Sequence, residues 1–262
     1  ASTGFSCSVT CGRVSFALGL QGPCASFDTA CSASLVGNHS SMRALQRLEC
    51  DSAMSAGVNM ILDPATMRGN AIAGFTSVTG RSHTFDVRAD GYARGEAVDV
   101  FVSRLELDSP ANGAAELMLG SAIRQDGRSA SLTAPSGQAQ QGVLSTAVAD
   151  AQLTVRDMSV LEAHGTGTAL GDPIEAGAVA AVYLSRWGAS ASPLAIGSLK
   201  ANAGHTEPGA GLAGALKLLL QLRYKTLPPN AQLRVLNPHV GSTLRGHALS
   251  AVATQVRSVL GG

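Results

Sequence analysis

"FDTACSASLVGNHSSMRALQRL", residues 27–48, places Cys31 where an extended segment gives way to a helix. Leu35, His39, Met42 and Leu45 recur at three- and four-residue spacings, which predicts a helix from about Ser32 with that face turned inward. Cys31 then stands at the helix N-terminus. Free backbone N–H groups and the positive end of the helix dipole stabilise a thiolate there, and small neighbours (Ala30, Ser32, Ala33) leave room for an incoming group. A cysteine taken alone is as readily a small buried apolar residue. The chemical reading therefore requires the rest of the chain to supply a base, an oxyanion site and room for a substrate.

At 262 residues, with 45% apolar and 14% charged residues, the chain can bury a sizeable core as one large domain or two ordinary ones. A net charge of +1 gives no electrostatic reason to expect nucleic acid or a membrane surface as partner. No apolar run is long enough to span a bilayer, and the start carries no signal-peptide pattern. Five cysteines without framework spacing fit a reducing compartment, so an intracellular, cytoplasmic setting is expected, with no organelle specified. Cys7, Cys11, Cys24 and Cys50 are read as packing residues, because their spacing, without clustered histidines, makes no zinc site. The chain begins at Ala1 without a methionine and is expected to be a piece of something longer.

Thirty glycines and few aromatic residues suggest closely packed layers joined by tight connections. Residues 115–123 read as a strand, and 97–107 as another whose Val98, Val100 and Val102 share one face. Between Gln140 and Leu153, Val143, Leu144, Ala147, Val148 and Ala151 recur at helical spacing, and the strand-like "MSVLEA" (158–163) follows. "LAIGSLKA" (194–201) repeats the theme. The apolar helix "GLAGALKLLLQLRY" (211–224) then stops before Pro228 and Pro229. The order is α/β.

Two further stretches bear on Cys31. In "EAHGTGTALGDPIEAGA" (162–178), His164 leaves a predicted strand and enters a glycine- and threonine-rich loop. In "GSLKANAGHTEPGAG" (197–211), Lys200 ends another predicted strand and His205 sits in a second glycine-containing loop. In open α/β sheets ligands gather at the carboxyl ends of strands. Two histidines in matching contexts plus a helix-start cysteine make a nucleophile with two polar catalysts, expected to converge on one cavity.

At these residues the chain resembles the β-ketoacyl synthases, specifically the ketosynthase domains of type I polyketide synthases and related fatty acid synthases. The resemblance runs from about Ser8 to His239. It rests on "SVTCGRVSFALGLQGPCASFDTACSASLVGNHSSMRAL", "TGRSHTFDVRADGYARGEA", "IRQDGRSASLTAPSGQAQ", "EAHGTGTALGDPIEAGA", "GSLKANAGHTEPGAGLAG" and "NPHV", in the family's order. It implies a thiolase-like layered α-β-α-β-α fold whose N-terminal half is incomplete. Residues 1–155 would form the remainder of the half bearing the nucleophile. Residues 156–262 would form the half bearing both histidines, stopping short of the family's terminal glycine-rich loop. It also implies a homodimer of the full domain, acyl carrier protein as partner, and substrates carried on phosphopantetheine with no other bound cofactor and no metal.

The resemblance further implies that Cys31 takes the acyl chain, with its backbone N–H forming part of the oxyanion hole. His164 and His205 would assist decarboxylation of a malonyl-type extender, and Thr166 and Thr168 would hold the pantetheine arm. Lys200 matches the family's active-site lysine and Glu175 its acidic partner. The residues also allow a plainer reading of "DPIE": Asp172 as helix N-cap, Pro173 at the first position and Glu175 at the third, opening a helix through Trp187.

"GAGLAG" (209–214) satisfies GxGxxG, yet no Asp or Glu follows Glu207, so the ribose-binding acid of a dinucleotide site is missing. Its glycines are expected to permit tight helix packing. No GxSxG serine elbow occurs. Lys217, Arg223, Lys225, Arg234, Arg245 and Arg257 are read as solvated or domain-contact residues. A non-catalytic chain-length partner of the same fold would lack Cys31, and other thiolase-superfamily acyltransferases would lack one of the two histidines.

Overall fold

The computed structural model describes residues 2–4, 6–105, 116–184, 193–245 and 250–252. They gather into two compact units interleaved along the chain. One comprises Ala1–Asn59, Glu96–Glu116 and Glu207–Ala213, the other Met60–Gly95, Leu117–Thr206 and Gly214–Gly262.

In the first unit, helix α1 (Cys7–Leu18) ends at Gly19, whose φ of 67° lets the Leu20 N–H reach back to the Ser15 carbonyl at 2.9 Å. Helix α2 (Ala33–Gln46) packs on strand β1 (Ser52–Asn59), which pairs antiparallel with strand β2 (Ala97–Arg104). Small side chains set the helix–strand distance. A Cβ on Gly57 would stand 2.8 Å from the Ser34 Cβ. This close approach brings Ser34 and Asn38 inward, with Asn38 accepting the Ser55 hydroxyl at 2.9 Å. The buried row of α2 is therefore Ser34, Asn38 and Leu45, while Leu35, expected inside, is 45% exposed. On β2, Val98, Val100 and Val102 do share a face, and that face is exposed.

The second unit holds a parallel sheet in the order β3 (Val160–Glu162), β4 (Leu194–Gly197), β5 (Ser250–Val252). Every β4 residue is buried, as a strand covered on both faces requires. Helix α3 (Pro64–Ile72) starts at Asp63, whose carboxylate accepts the Ala65 N–H. Helix α4 (Gly137–Asp150) starts at Ser136, which accepts the Ala139 N–H at 3.2 Å, and lays Leu144 and Val148 on the core as its periodicity predicts. Helix α5 (Gly171–Val179) continues as a π-turn through Leu184. Then come α6 (Lys200–Ala203), α7 (Ala210–Tyr224) and α8 (Pro238–Arg245). Phe85, Val179, Tyr183, Leu194, Ile196 and Val240 lie in the core of this unit.

Several expectations change. Residues 116–123 form no ladder among the described residues, and Ser121 donates its N–H to the Asp150 carboxylate instead; residue 115 lies outside them. Strand propensity reports how side chains fit a pleated surface and does not provide a pairing partner. Asp172 is the second residue of α5 and caps nothing at its start, and the continuation to Trp187 falls outside the described residues. None of Cys7, Cys11, Cys24 and Cys50 is buried. Lys217, expected in solvent or at a domain contact, is buried against Glu162 at 2.6 Å.

Candidate active site

The loop leaving β3 is held by other backbone and by two carboxylates. Gly165 (φ 47°) and Gly167 (φ 74°) occupy left-handed conformations. A Cβ on Gly165 would meet the side chains of Ser198 and Thr84, each at 2.7 Å. The Thr84 hydroxyl donates to the Gly165 carbonyl at 2.6 Å, and the Gly91 N–H to that of Gly167 at 2.9 Å. Glu175 accepts the N–H groups of His164 (2.6 Å) and Gly165 (2.8 Å). Asp172 accepts those of Phe85 (2.7 Å), Gly167 (3.1 Å) and Thr168 (3.3 Å). The acids of "DPIE" thus bind the loop carrying His164, rather than the first turn of their own helix.

After β4 the chain turns at Ser198 into α6, so Lys200 opens a short helix rather than ending a strand. The residue is brought inside, at 7% exposure. Gly204, at φ 79°, ends the turn, and the His205 backbone locks against the neighbouring segment through Ala93 O (2.7 Å) and the Gly95 N–H (2.8 Å). His205 is fully buried. Its ring lies edge-on to that of His164, with centroids 5.6 Å apart at 89°, and Tyr92 stacks edge-on at 4.8 Å.

Burial pushes His205 from the ordinary imidazole value down to about 2, and the charges of Lys200 and His164 add to the shift. His164 moves the same way, through burial first and Lys200 second; because the residue as a whole is exposed, solvent moderates that shift. Both imidazoles are neutral at pH 7, each with one N–H to donate. Burial raises Asp172 to about 6, with the Glu175 charge adding to it. Burial also raises Glu175, against the opposing pull of the two N–H groups it holds and of Lys200. Thr166 is buried with its hydroxyl 3.3 Å from that of Thr168, which accepts the Gly171 N–H at 3.1 Å.

His164, Thr166, Thr168, Glu175, Lys200 and His205 all belong to the second unit, and Cys31 to the first. Within its unit Cys31 is half-buried in a 3-10 turn, Ala30–Ser32, directly ahead of α2. Ala30 is driven to φ 51°, a conformation that costs a non-glycine residue roughly 1–3 kcal/mol. The Ser32 hydroxyl donates to the Thr29 carbonyl at 2.9 Å and fastens the turn. The cysteine therefore sits on a strained turn, not on the first turn of the α-helix.

Sequence reasoning missed the Glu162–Lys217 pair. Glu162 accepts the Leu199 N–H, next to Lys200, and ion-pairs with Lys217. A lysine inside "GLAGALKLLLQL" was the available signal, since a charge on an apolar helix face needs a buried partner. The glycines of "GAGLAG" behave as expected: a Cβ on Gly214 would stand 3.1 Å from the Glu162 side chain.

Family models for the N-terminal and the C-terminal domain of beta-ketoacyl synthase match residues 1–107 and 115–234. The chain belongs to the β-ketoacyl synthase family. This family member is 43% identical over 244 residues, 92% of its length, to a polypeptide of the phenolphthiocerol/phthiocerol polyketide synthase of Mycobacterium tuberculosis. It is 44% identical over 228 residues, 86% of its length, to the pikromycin polyketide synthase component PikAII of Streptomyces venezuelae. Its structure is similar to the ketosynthase from module 6 of the bacillaene synthase of Bacillus subtilis 168, at a TM-score of 0.89 and 34% identity over 97% of the chain. The oxazolomycin ketosynthase domain OzmH KS7 of Streptomyces albus JA3453 follows at 0.89 and 31%, over 96% of the chain. The fold is accordingly thiolase-like α/β. The chain spans 13% of the mycobacterial synthase polypeptide, 6% of the pikromycin component, and 45% and 43% of the two solved ketosynthases.

Proposed function

We propose that this chain carries the catalytic residues of a β-ketoacyl synthase that performs decarboxylative Claisen condensation in polyketide or fatty acid synthesis. The observation that carries the reading is the pair of neutral imidazoles, His164 and His205, edge-on at 5.6 Å in the segments that follow β3 and α6. In the first step the Cys31 sulfur attacks the acyl thioester and expels the phosphopantetheine thiol of an acyl carrier protein. A malonyl-type extender on a second carrier then loses CO2. The electron pair of the broken C–C bond moves into the thioester, and N–H donors of the two rings hold the enolate oxygen. The carbanion attacks the acyl-cysteine carbonyl, and collapse of the tetrahedral oxyanion returns the Cys31 thiolate and releases the β-ketoacyl carrier.

A neutral imidazole suits this task, because it donates a hydrogen bond without giving up its proton to the enolate. Burial, with the Lys200 charge second, sets the rings in their neutral state, Glu175 orients the His164 backbone, and Thr166 and Thr168 present hydroxyls to the pantetheine arm. The nucleophile falls to residues 1–155 and the histidines to 156–262, in a homodimer served by acyl carrier protein inside the cell. No described helix is long and apolar enough to cross a membrane.

The test uses the protein that contains this chain, supplied with acyl and malonyl carriers. The expected result is a β-ketoacyl product from the wild type and no acyl adduct on Cys31→Ala by intact mass. Absence of product, with Cys31→Ala still acylated, would overturn the reading.

A further inference from the structure

The turn that carries Lys200 is held by side chains. Three consecutive N–H groups between β4 and α6 each end on a side-chain acceptor: Ser198 donates to the Asn230 amide oxygen at 2.9 Å, Leu199 to one oxygen of Glu162, and Lys200 to the Ser198 hydroxyl at 3.3 Å. Glu162 is the charged member of this set. Its other oxygen takes the Lys217 ammonium at 2.6 Å, and each of these two side chains is only 9% exposed. The backbone beneath the carboxylate is fixed as well: Glu162 pairs with Gly197 in the sheet, and the Ala163 N–H donates to the Gly197 carbonyl at 2.7 Å. Glycines crowd the ion pair, since a Cβ on Gly214 would stand 3.1 Å from the Glu162 Cγ and one on Gly197 would stand 3.2 Å from the Lys217 Nζ. All of these residues belong to the second unit. Burial raises the Glu162 carboxyl, against the pull of Lys217, of the Leu199 N–H and of Lys200.

We propose, on the functional reading above, that Glu162 is a positioning residue for the malonyl step: through the Leu199 N–H it fixes the turn that brings Lys200 inside and leads through α6 to His205, while Lys217 keeps its carboxylate aimed. Glu162 thus does for the Lys200 turn what Glu175 does for the His164 loop. One oxygen holds a backbone donor of the turn and the other is tied to a neighbouring element. The carboxylate itself touches no reacting atom, and its effect on decarboxylation passes through the placement of Lys200 and His205. Acylation of Cys31 does not depend on it.

The test compares two double variants of the protein that contains this chain, both without the ion pair. Glu162→Gln with Lys217→Met keeps an amide oxygen for the Leu199 N–H, and Glu162→Leu with Lys217→Met removes that acceptor at similar volume. Exchanging a buried ion pair for apolar side chains of similar volume is often neutral for stability. Urea midpoints establish that each variant is folded under assay conditions, and Glu162→Met with Lys217→Met repeats the second variant with different packing. Decarboxylation of malonyl carrier and acylation of Cys31, the latter by intact mass, are measured separately. The first variant should stay within about threefold of wild type in both steps, whereas the second should lose about tenfold or more in kcat for decarboxylation, with KM for malonyl carrier and Cys31 acylation near wild type. Equal decarboxylation by the two variants, or a matching loss in both steps, would overturn the proposal while leaving the functional reading intact. A wild type that makes no β-ketoacyl product would overturn that reading, and this role with it.

Discussion

Glu175 grips His164 by its backbone: one carboxylate oxygen accepts the His164 N–H at 2.6 Å and the other accepts the Gly165 N–H at 2.8 Å. The acid acts on the histidine without touching its ring. Glu175→Gln has one acceptor where two are needed and turns an amide N–H2 toward a backbone donor. Leaving a buried donor unsatisfied costs about 1–3 kcal/mol. Urea denaturation should show that loss. Condensation assays should show a fall in kcat larger than any change in KM, because the ring would be displaced from the reacting oxygen.

Gly165 has no room for a side chain and a backbone angle that disfavours one. Gly165→Ala meets Ser198 and Thr84 at 2.7 Å while holding φ at 47°. Overpacking costs about 1–3 kcal/mol, with left-handed strain added. The variant should unfold at lower denaturant and lose condensation activity even where it remains folded.

The response to acid follows from two opposed groups. His205 is depressed from 6.5 to about 2, so the unfolded chain binds the extra proton and its contribution is lost as pH falls below 6.5. The slope approaches about 1.4 kcal/mol per pH unit for one such group. Asp172 is raised from 3.8 to about 6, so the folded chain binds its proton first and gains stability as pH falls through 6. His205→Asn should therefore flatten the acid-side loss of stability, and Asp172→Asn should steepen it. Urea midpoints across a pH series measure both, and unchanged slopes would remove these groups from the acid response.

Glu162 and Lys217 are a buried pair, each side chain only 9% exposed. Removing one partner of such a pair costs about 3–5 kcal/mol, since the other charge is left buried alone. Lys217→Met should be severely destabilising, and Glu162→Gln combined with Lys217→Met should recover part of the loss. Equal loss in single and double variants would mean that packing, and not charge, dominates there.

Helices α4 and α7 and strands β2, β3 and β4 were legible because each rests on a local signal: apolar period, β-branched runs, a cap or a proline stop. The site's residue types were legible for the same reason, since "TACSAS", "EAHGTGT" and "SLKANAGH" keep the family's order. What misled was any inference from one element to its surroundings. Leu35 looked like the inward residue of α2, yet the tight approach to β1 selects Ser34 and Asn38. "DPIE" reads as a helix cap, yet Asp172 and Glu175 spend their oxygens on another loop.

The amino-acid order alone determined the fold family and the elements bearing the histidines, and it singled out the cysteine proposed as nucleophile. Those depend on residue types at fixed spacing along one polymer. Only the folded molecule decided which carboxylate holds which N–H, that Lys217 turns inward to Glu162, and that His205 is stripped of water and held neutral. Each of these arises between segments remote in sequence, where desolvation strengthens a charge or a hydrogen bond only once the surrounding elements have closed around it.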